Sequence, residues 1–83
     1  MTESTFTPEE IAKKYAVSLD SVDLINSLVA VDSLNELQID KLRRHTDHLE
    51  YTVTRDFWTD EDLTPFSNAA TAGRAKITSY DSE

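Results

Sequence analysis

The sequence predicts an all-α protein: a small bundle of three to four helices, with an N-terminal helix-turn-helix-like pair and a long third helix. Three observations carry this. Apolar residues recur at intervals of three and four along most of the chain. Helix-start signatures, a Ser or Thr followed three residues later by an acid, recur ahead of those stripes. Turn-formers are scarce, with one glycine (Gly73) and two prolines (Pro8 and Pro65), too few for a sandwich or barrel.

The first six residues are polar and read as a frayed end. Thr7-Pro8-Glu9-Glu10 opens helix 1: Thr7 caps, Pro8 suits the first helical position, and Glu10 closes a capping box. This helix runs to about Tyr15, with Ile11 and Tyr15 on one face. Ala16-Val17-Ser18 reads as a tight turn and Ser18 as the next cap. Helix 2 covers about Leu19 to Val29, with Leu19, Val22, Ile25, Leu28 and Val29 as its buried stripe. Ser33-Leu34-Asn35-Glu36 is a further capping box. It opens the long helix, about Leu34 to Arg55, whose core positions are Ile39, Leu42, Leu49 and Val53. At about 22 residues and ~33 Å it exceeds what so small a domain needs, so one end is expected to project or to pack on a partner. Thr59, with Asp60, Glu61 and Asp62, starts a short turn. Thr64-Pro65 breaks it and starts a last helix to about Ile77, burying Phe66, Ala69, Ala70, Gly73 and Ile77. Residues 78–83 read as a polar tail, and the whole chain as one domain with one modest core.

Composition excludes several functions. With no cysteine there is no disulfide, thiolate nucleophile or thiolate zinc site. No apolar run is long enough to span a membrane, and the N-terminus has the features of no secretory signal, so a cytoplasmic or particle-bound location is expected. The net charge of −8 is unevenly spread. Residues 1–40 hold eight acids against Lys13 and Lys14, net −6. Residues 41–55 hold Lys41, Arg43, Arg44 and Arg55 against Asp47 and Glu50, net +2. Residues 56–83 hold six acids against Arg74 and Lys76, net −4. Such a surface repels phosphate backbones and anionic lipid, and suits a basic partner or plain solubility.

The sharpest motif is residues 11–22, Ile-Ala-Lys-Lys-Tyr-Ala-Val-Ser-Leu-Asp-Ser-Val, which resembles the helix-turn-helix of bacterial repressors. A helix that reads DNA needs donors for base edges and phosphates. The second helix here offers Asp20, Ser21, Asp23 and Asn26, with no Lys or Arg between Lys14 and Lys41, so the helix pair is expected and DNA reading is not. For Arg43 and Arg44, an acidic contact competes with intrahelical pairing to Asp40 and Asp47, and the pairing is favoured. His45 and His48 sit three apart on one helix, too few ligands for a metal site, and His45 is expected as a hydrogen-bonded structural residue. Asp56, Asp60, Glu61 and Asp62 lack the spacing and glycine of a calcium loop. No phosphate loop, dinucleotide fingerprint or nucleophile triad is present, so neither an enzyme nor a cofactor is expected. Trp58, with Phe57 and Phe66 around an acidic turn, has the composition of a protein-binding hot spot; the competing reading places Phe57 and Phe66 in the core.

The residues Asp47-His48-Leu49-Glu50, then Asp56 through Phe66, then Ala72-Gly73-Arg74-Ala75, resemble the C-terminal part of short uncharacterised proteins of tailed bacteriophages, cyanophages in particular. The resemblance covers roughly residues 42–77 and implies a phage origin without an activity. The expected function is therefore a non-enzymatic protein-interaction or structural accessory protein, a virion or head–tail component binding its subunits and compatible with self-association. One alternative is an acidic intracellular effector that inhibits a basic host protein; another is a helix-turn-helix regulator. The candidate partner-binding residues are Trp58, Asp60, Glu61, Asp62, Arg43 and Arg44.

Overall fold

The computed structural model describes residues 6–58 and 61–82. They form three helices, α1 (Pro8–Val29), α2 (Glu36–Thr52) and α3 (Thr64–Asp81), each in contact with the other two. The pairings fix the topology. Ser21 meets His45, Arg43 meets Asp81 and Arg74 meets Glu50, so α2 runs against both its neighbours. Tyr15 stacks on Phe66 at one end of the bundle, while Ile25 faces Gly73 further along, so α1 and α3 run the same way. The bundle measures 46 × 21 × 20 Å.

The N-terminal helix pair is not formed: α1 is one helix of 22 residues. No glycine or proline interrupts it after Pro8, and its buried stripe passes straight through the expected turn. Ile11, Tyr15, Ser18, Val22, Ile25 and Val29 follow alternating steps of four and three, the period of packed helices. Ser18, expected as a cap, is instead one of these seam residues and is buried, as is Ser21. Their small side chains suit an interior helix face. Leu19, expected in the core, is out of phase with the stripe and exposed. The start of α1 follows the sequence: the Thr7 side chain accepts from the Glu10 N–H at 3.1 Å, and the Glu10 carboxylate accepts from the Thr7 N–H at 2.9 Å.

The second helix is shorter than the expected long one. Asn35, not Ser33, caps it, in a reciprocal box with Gln38. Leu34 and Ile39, the two staple positions around that cap, are both buried. At its other end the chain leaves the helix after Thr52, and the helix has 17 residues. Its seam is Ile39, Leu42, Thr46 and Leu49.

Among the described residues, Glu61–Leu63 are not helical, and the expected cap Thr59 lies outside them. α3 starts at Thr64, where the Asp62 carboxylate accepts from the Thr64 N–H at 3.0 Å and so satisfies a donor that the N-cap residue, Leu63, leaves open. It runs past the expected stop at Ile77 to Asp81, because Tyr80 adds another seam position and Arg43 holds Asp81. Gly73 lies where α3 packs directly on Thr46 of α2 and Ile25 of α1. No described helix is long and apolar enough to cross a membrane.

Candidate functional site

A cleft of about 370 Å³ opens between the first half of α1 and the end of α2. Its floor is built by the segment that leaves α2. The Trp58 indole N–H donates to the Thr52 carbonyl at 2.9 Å, joining the Arg55 N–H that donates to the same oxygen at 3.1 Å, and so holds the segment against the end of α2. That places Trp58 against Tyr15 (ring centroids 5.9 Å apart), Phe57 (4.7 Å) and Phe66 (6.1 Å). The Tyr15 hydroxyl donates to the Asp62 carbonyl at 2.8 Å and ties the same end of α1 to the entry of α3. Phe57 is buried and Trp58 half-buried, so both hold the fold as well as line the cleft.

The walls are different in kind. Val17 on α1 and Tyr51 on α2 are each 59% exposed, large apolar surfaces turned to water on either side of the opening. Lys13 and Lys14 line one wall, and His48 and Arg55 the other. The Lys14 ammonium lies 4.4 Å from the centre of the Phe6 ring and 5.6 Å from that of Phe57. The Arg55 guanidinium lies 5.2 Å from the Tyr51 ring centre and 5.5 Å from that of Phe57, and donates to the Tyr51 hydroxyl. These cations rest over aromatic faces, where the ring's negative face attracts them without neutralising them. Among the described residues none of Lys13, Lys14 and Arg55 forms an ion pair, and no carboxylate lines the cleft.

The expected partner-binding residues scatter. Trp58 lines the cleft; Arg43, Arg44, Glu61 and Asp62 do not, and Asp60 lies outside the described residues. Asp62 is committed to the start of α3, and its hydrogen bonds to Thr64 hold its carboxyl below the usual carboxylate range. Arg43 does not take an intrahelical partner. It grips Asp81 of α3 with both terminal nitrogens, which raises the guanidinium's pKa and lowers that of the carboxyl. Asp47, expected beside Arg43 or Arg44, is taken instead by Arg74, which also binds Glu50 at 2.7 and 3.1 Å. Helix phase explains the exchange: these side chains flank the seam where α2 meets α3, so the nearest opposite charge is across the interface. The two histidines part company. Ser21 Oγ lies 2.9 Å from His45 Nδ1 in the α1–α2 interface, as expected for a structural histidine, while His48 lines the cleft. Burial first, then the charges of His48, Arg44 and Lys41, push the His45 pKa down. Among the described residues no three His, Asp or Glu side chains converge as metal ligands.

Reading the sequence for motifs missed Lys13, Lys14, Val17 and Tyr51 as a group. The signal was present in two helical steps, Lys13 with Val17 and Tyr51 with Arg55, each four residues apart. The expected turn at residues 16–18 hid the first of them. Compared with protein families, with characterised proteins and with solved structures, the chain finds no match.

Proposed function

We propose that this chain is a non-enzymatic protein-interaction module that docks a partner through the cleft between α1 and α2. The setting suggested by the phage-like C-terminal segment is that of an accessory component of a tailed-phage particle. One observation carries the docking reading: Val17 and Tyr51, two of the most exposed large apolar residues described, flank the same recess, whose floor is Phe57 and Trp58. Recessed apolar surface rimmed by polar groups is the usual form of a binding site, and aromatic and Arg-rich patches dominate the energetics of protein interfaces. The continuous α1 withdraws the geometric basis for a DNA-reading second helix, since there is no turn from which such a helix could be presented.

The test is affinity capture from phage-infected lysate with the wild-type chain and with Val17→Glu/Tyr51→Ala, followed by cross-link mapping. Both substitutions fall on exposed side chains, so helicity should be kept. A partner held by the wild type, lost by the variant and cross-linked at the cleft supports the reading. A partner captured equally by both, and released by salt, would favour the acidic-effector alternative, in which the carboxylate-rich surface makes the contact.

A further inference from the structure

We infer that the cleft receives an acidic peptide segment carrying one bulky apolar side chain; this rests on the docking reading above and gives its partner a chemistry. The first ground is a local reversal of charge. The chain carries sixteen acids and eight bases, so a patch drawn at random would hold about two acids for each base. The described lining of the cleft holds Lys13, Lys14 and Arg55 and no acid. The second ground is that these cations are available. Arg43 and Arg74 are already bound to carboxylates of neighbouring helices, whereas Lys14 and Arg55 rest on ring faces with their charge unspent. A carboxylate reaching Arg55 or Lys14 would gain a charge-assisted hydrogen bond without breaking an existing ion pair. The third ground is size and polarity. Between the cations lie the exposed faces of Val17 and Tyr51, and the space of about 370 Å³ admits one large side chain with its flanking backbone.

A longer polyanion fits less well. Outside the cleft the chain has a large excess of acids over bases, and a nucleic-acid strand longer than the recess would meet that excess as repulsion. A short acidic segment stays within reach of the cations, inside a screening length of about 8 Å at physiological salt. The net charge of −8 opposes its approach while the cleft attracts it at contact, so affinity should vary little with moderate salt. Charge reversal, and not salt, is therefore the discriminating measurement.

The experiment is a peptide-display selection on the immobilised wild-type chain at physiological salt, counter-selected on Lys14→Glu/Arg55→Glu. Enriched peptides are then synthesised and measured by fluorescence anisotropy. Circular dichroism of each variant verifies the fold, and Lys14→Gln/Arg55→Gln guards against damage from the introduced acids. The expected peptides carry acids on either side of a Trp, Phe or Leu. They should bind the charge-reversed variant at least about tenfold more weakly, bind the glutamine variant with intermediate affinity, and lose binding when the apolar anchor becomes Ala. Peptides that are neutral or basic yet lose binding to Val17→Glu would overturn the acidic occupant and leave the docking reading standing. If no peptide depends on the cleft, both fall. Oligothymidylate that displaces the selected peptide from the cleft would assign it to nucleic acid. Dimerisation of the chain in sedimentation, abolished by the charge reversal, would assign it to a second copy.

Discussion

Thr46 and Gly73 meet in close contact where α2 and α3 pack together. A Cβ built on Gly73 would lie 2.3 Å from Thr46 Oγ1 and 3.2 Å from Ile25 Cγ2. Thr46 is fully buried, so it has no free space into which to turn. Its hydroxyl has no hydrogen-bond partner, a cost of about 1–3 kcal/mol on general grounds. In an exposed helix Gly→Ala gains about 1 kcal/mol; here overpacking of about 1–3 kcal/mol outweighs it, and Gly73→Ala should lower the urea midpoint. Thr46→Ala removes the clashing oxygen together with the unsatisfied hydroxyl. In the Thr46→Ala background the penalty of Gly73→Ala should therefore shrink, and a double-mutant cycle with zero coupling would refute the contact. Trp58 belongs to the same scale. It was legible as important from its type and its acidic neighbours, but not in its role. Its indole closes the end of α2 and packs on three rings. Trp58→Ala should cost about 3 kcal/mol, the low end for a ring that is half-buried, a large share of the ~3–5 kcal/mol that a core of this size supplies. Its thermal midpoint should therefore fall sharply, whatever happens to partner binding. A variant with an unchanged midpoint would show the ring to be a surface contact only.

At the scale of the element, the same ambiguity recurs: polar residues that cap helices also fill seams where helices approach closely. Ser18 has the side chain of a cap and the position of a seam residue, and the seam prevails because an unbroken stripe buries surface on both sides of it. Thr46 hid the regularity of α2 in the same way, since an apolar stripe counted without it skips a turn. The class of fold, the caps at Thr7 and the small-residue face of α3 were legible because each rests on local chemistry. The continuity of α1 and the cross-interface ion pairs were not, because they depend on which face of each helix the others cover. The start of α2 shows how fine the competition is. Ser33 and Asn35 both head capping sequences, and Asn35 prevails because its box with Gln38 leaves Leu34 and Ile39 free to enter the core together. Asn35→Ala should cost about 1 kcal/mol, and Ser33→Ala should stay within about 0.5 kcal/mol, both measured by chemical denaturation. The opposite order would move the start of the helix back to Ser33.

At the scale of the whole molecule, two pH-dependent effects run in opposite directions, and only one is local. Sixteen acids against eight bases give a self-repulsion that eases as carboxylates protonate, so falling pH relieves it. His45 acts the other way. Its imidazole sits between α1 and α2 beside Ser21, and burial together with His48, Arg44 and Lys41 holds its pKa below the ordinary 6.5. The unfolded chain therefore binds the proton more readily than the folded one. The neutral histidine's contribution is whole above pH 6.5 and declines as pH falls from there toward the lower folded value. Asp62 and Asp81 do not confuse this window. Their folded pKa values lie below the ordinary 3.8, so the stability they add is present above 3.8 and is lost only as pH falls further. At low ionic strength the global term can mask that of His45. At about 1 M salt the screening length falls to ~3 Å, the global term is largely removed, and the half-buried imidazole keeps its partial desolvation. The wild type in high salt should therefore lose stability between pH 7 and about 5, and His45→Gln should flatten that slope while leaving the acid limb below pH 4 in place. A slope unchanged in His45→Gln would mean that another group titrates there, and the link between the Ser21–His45 contact and pH would be lost.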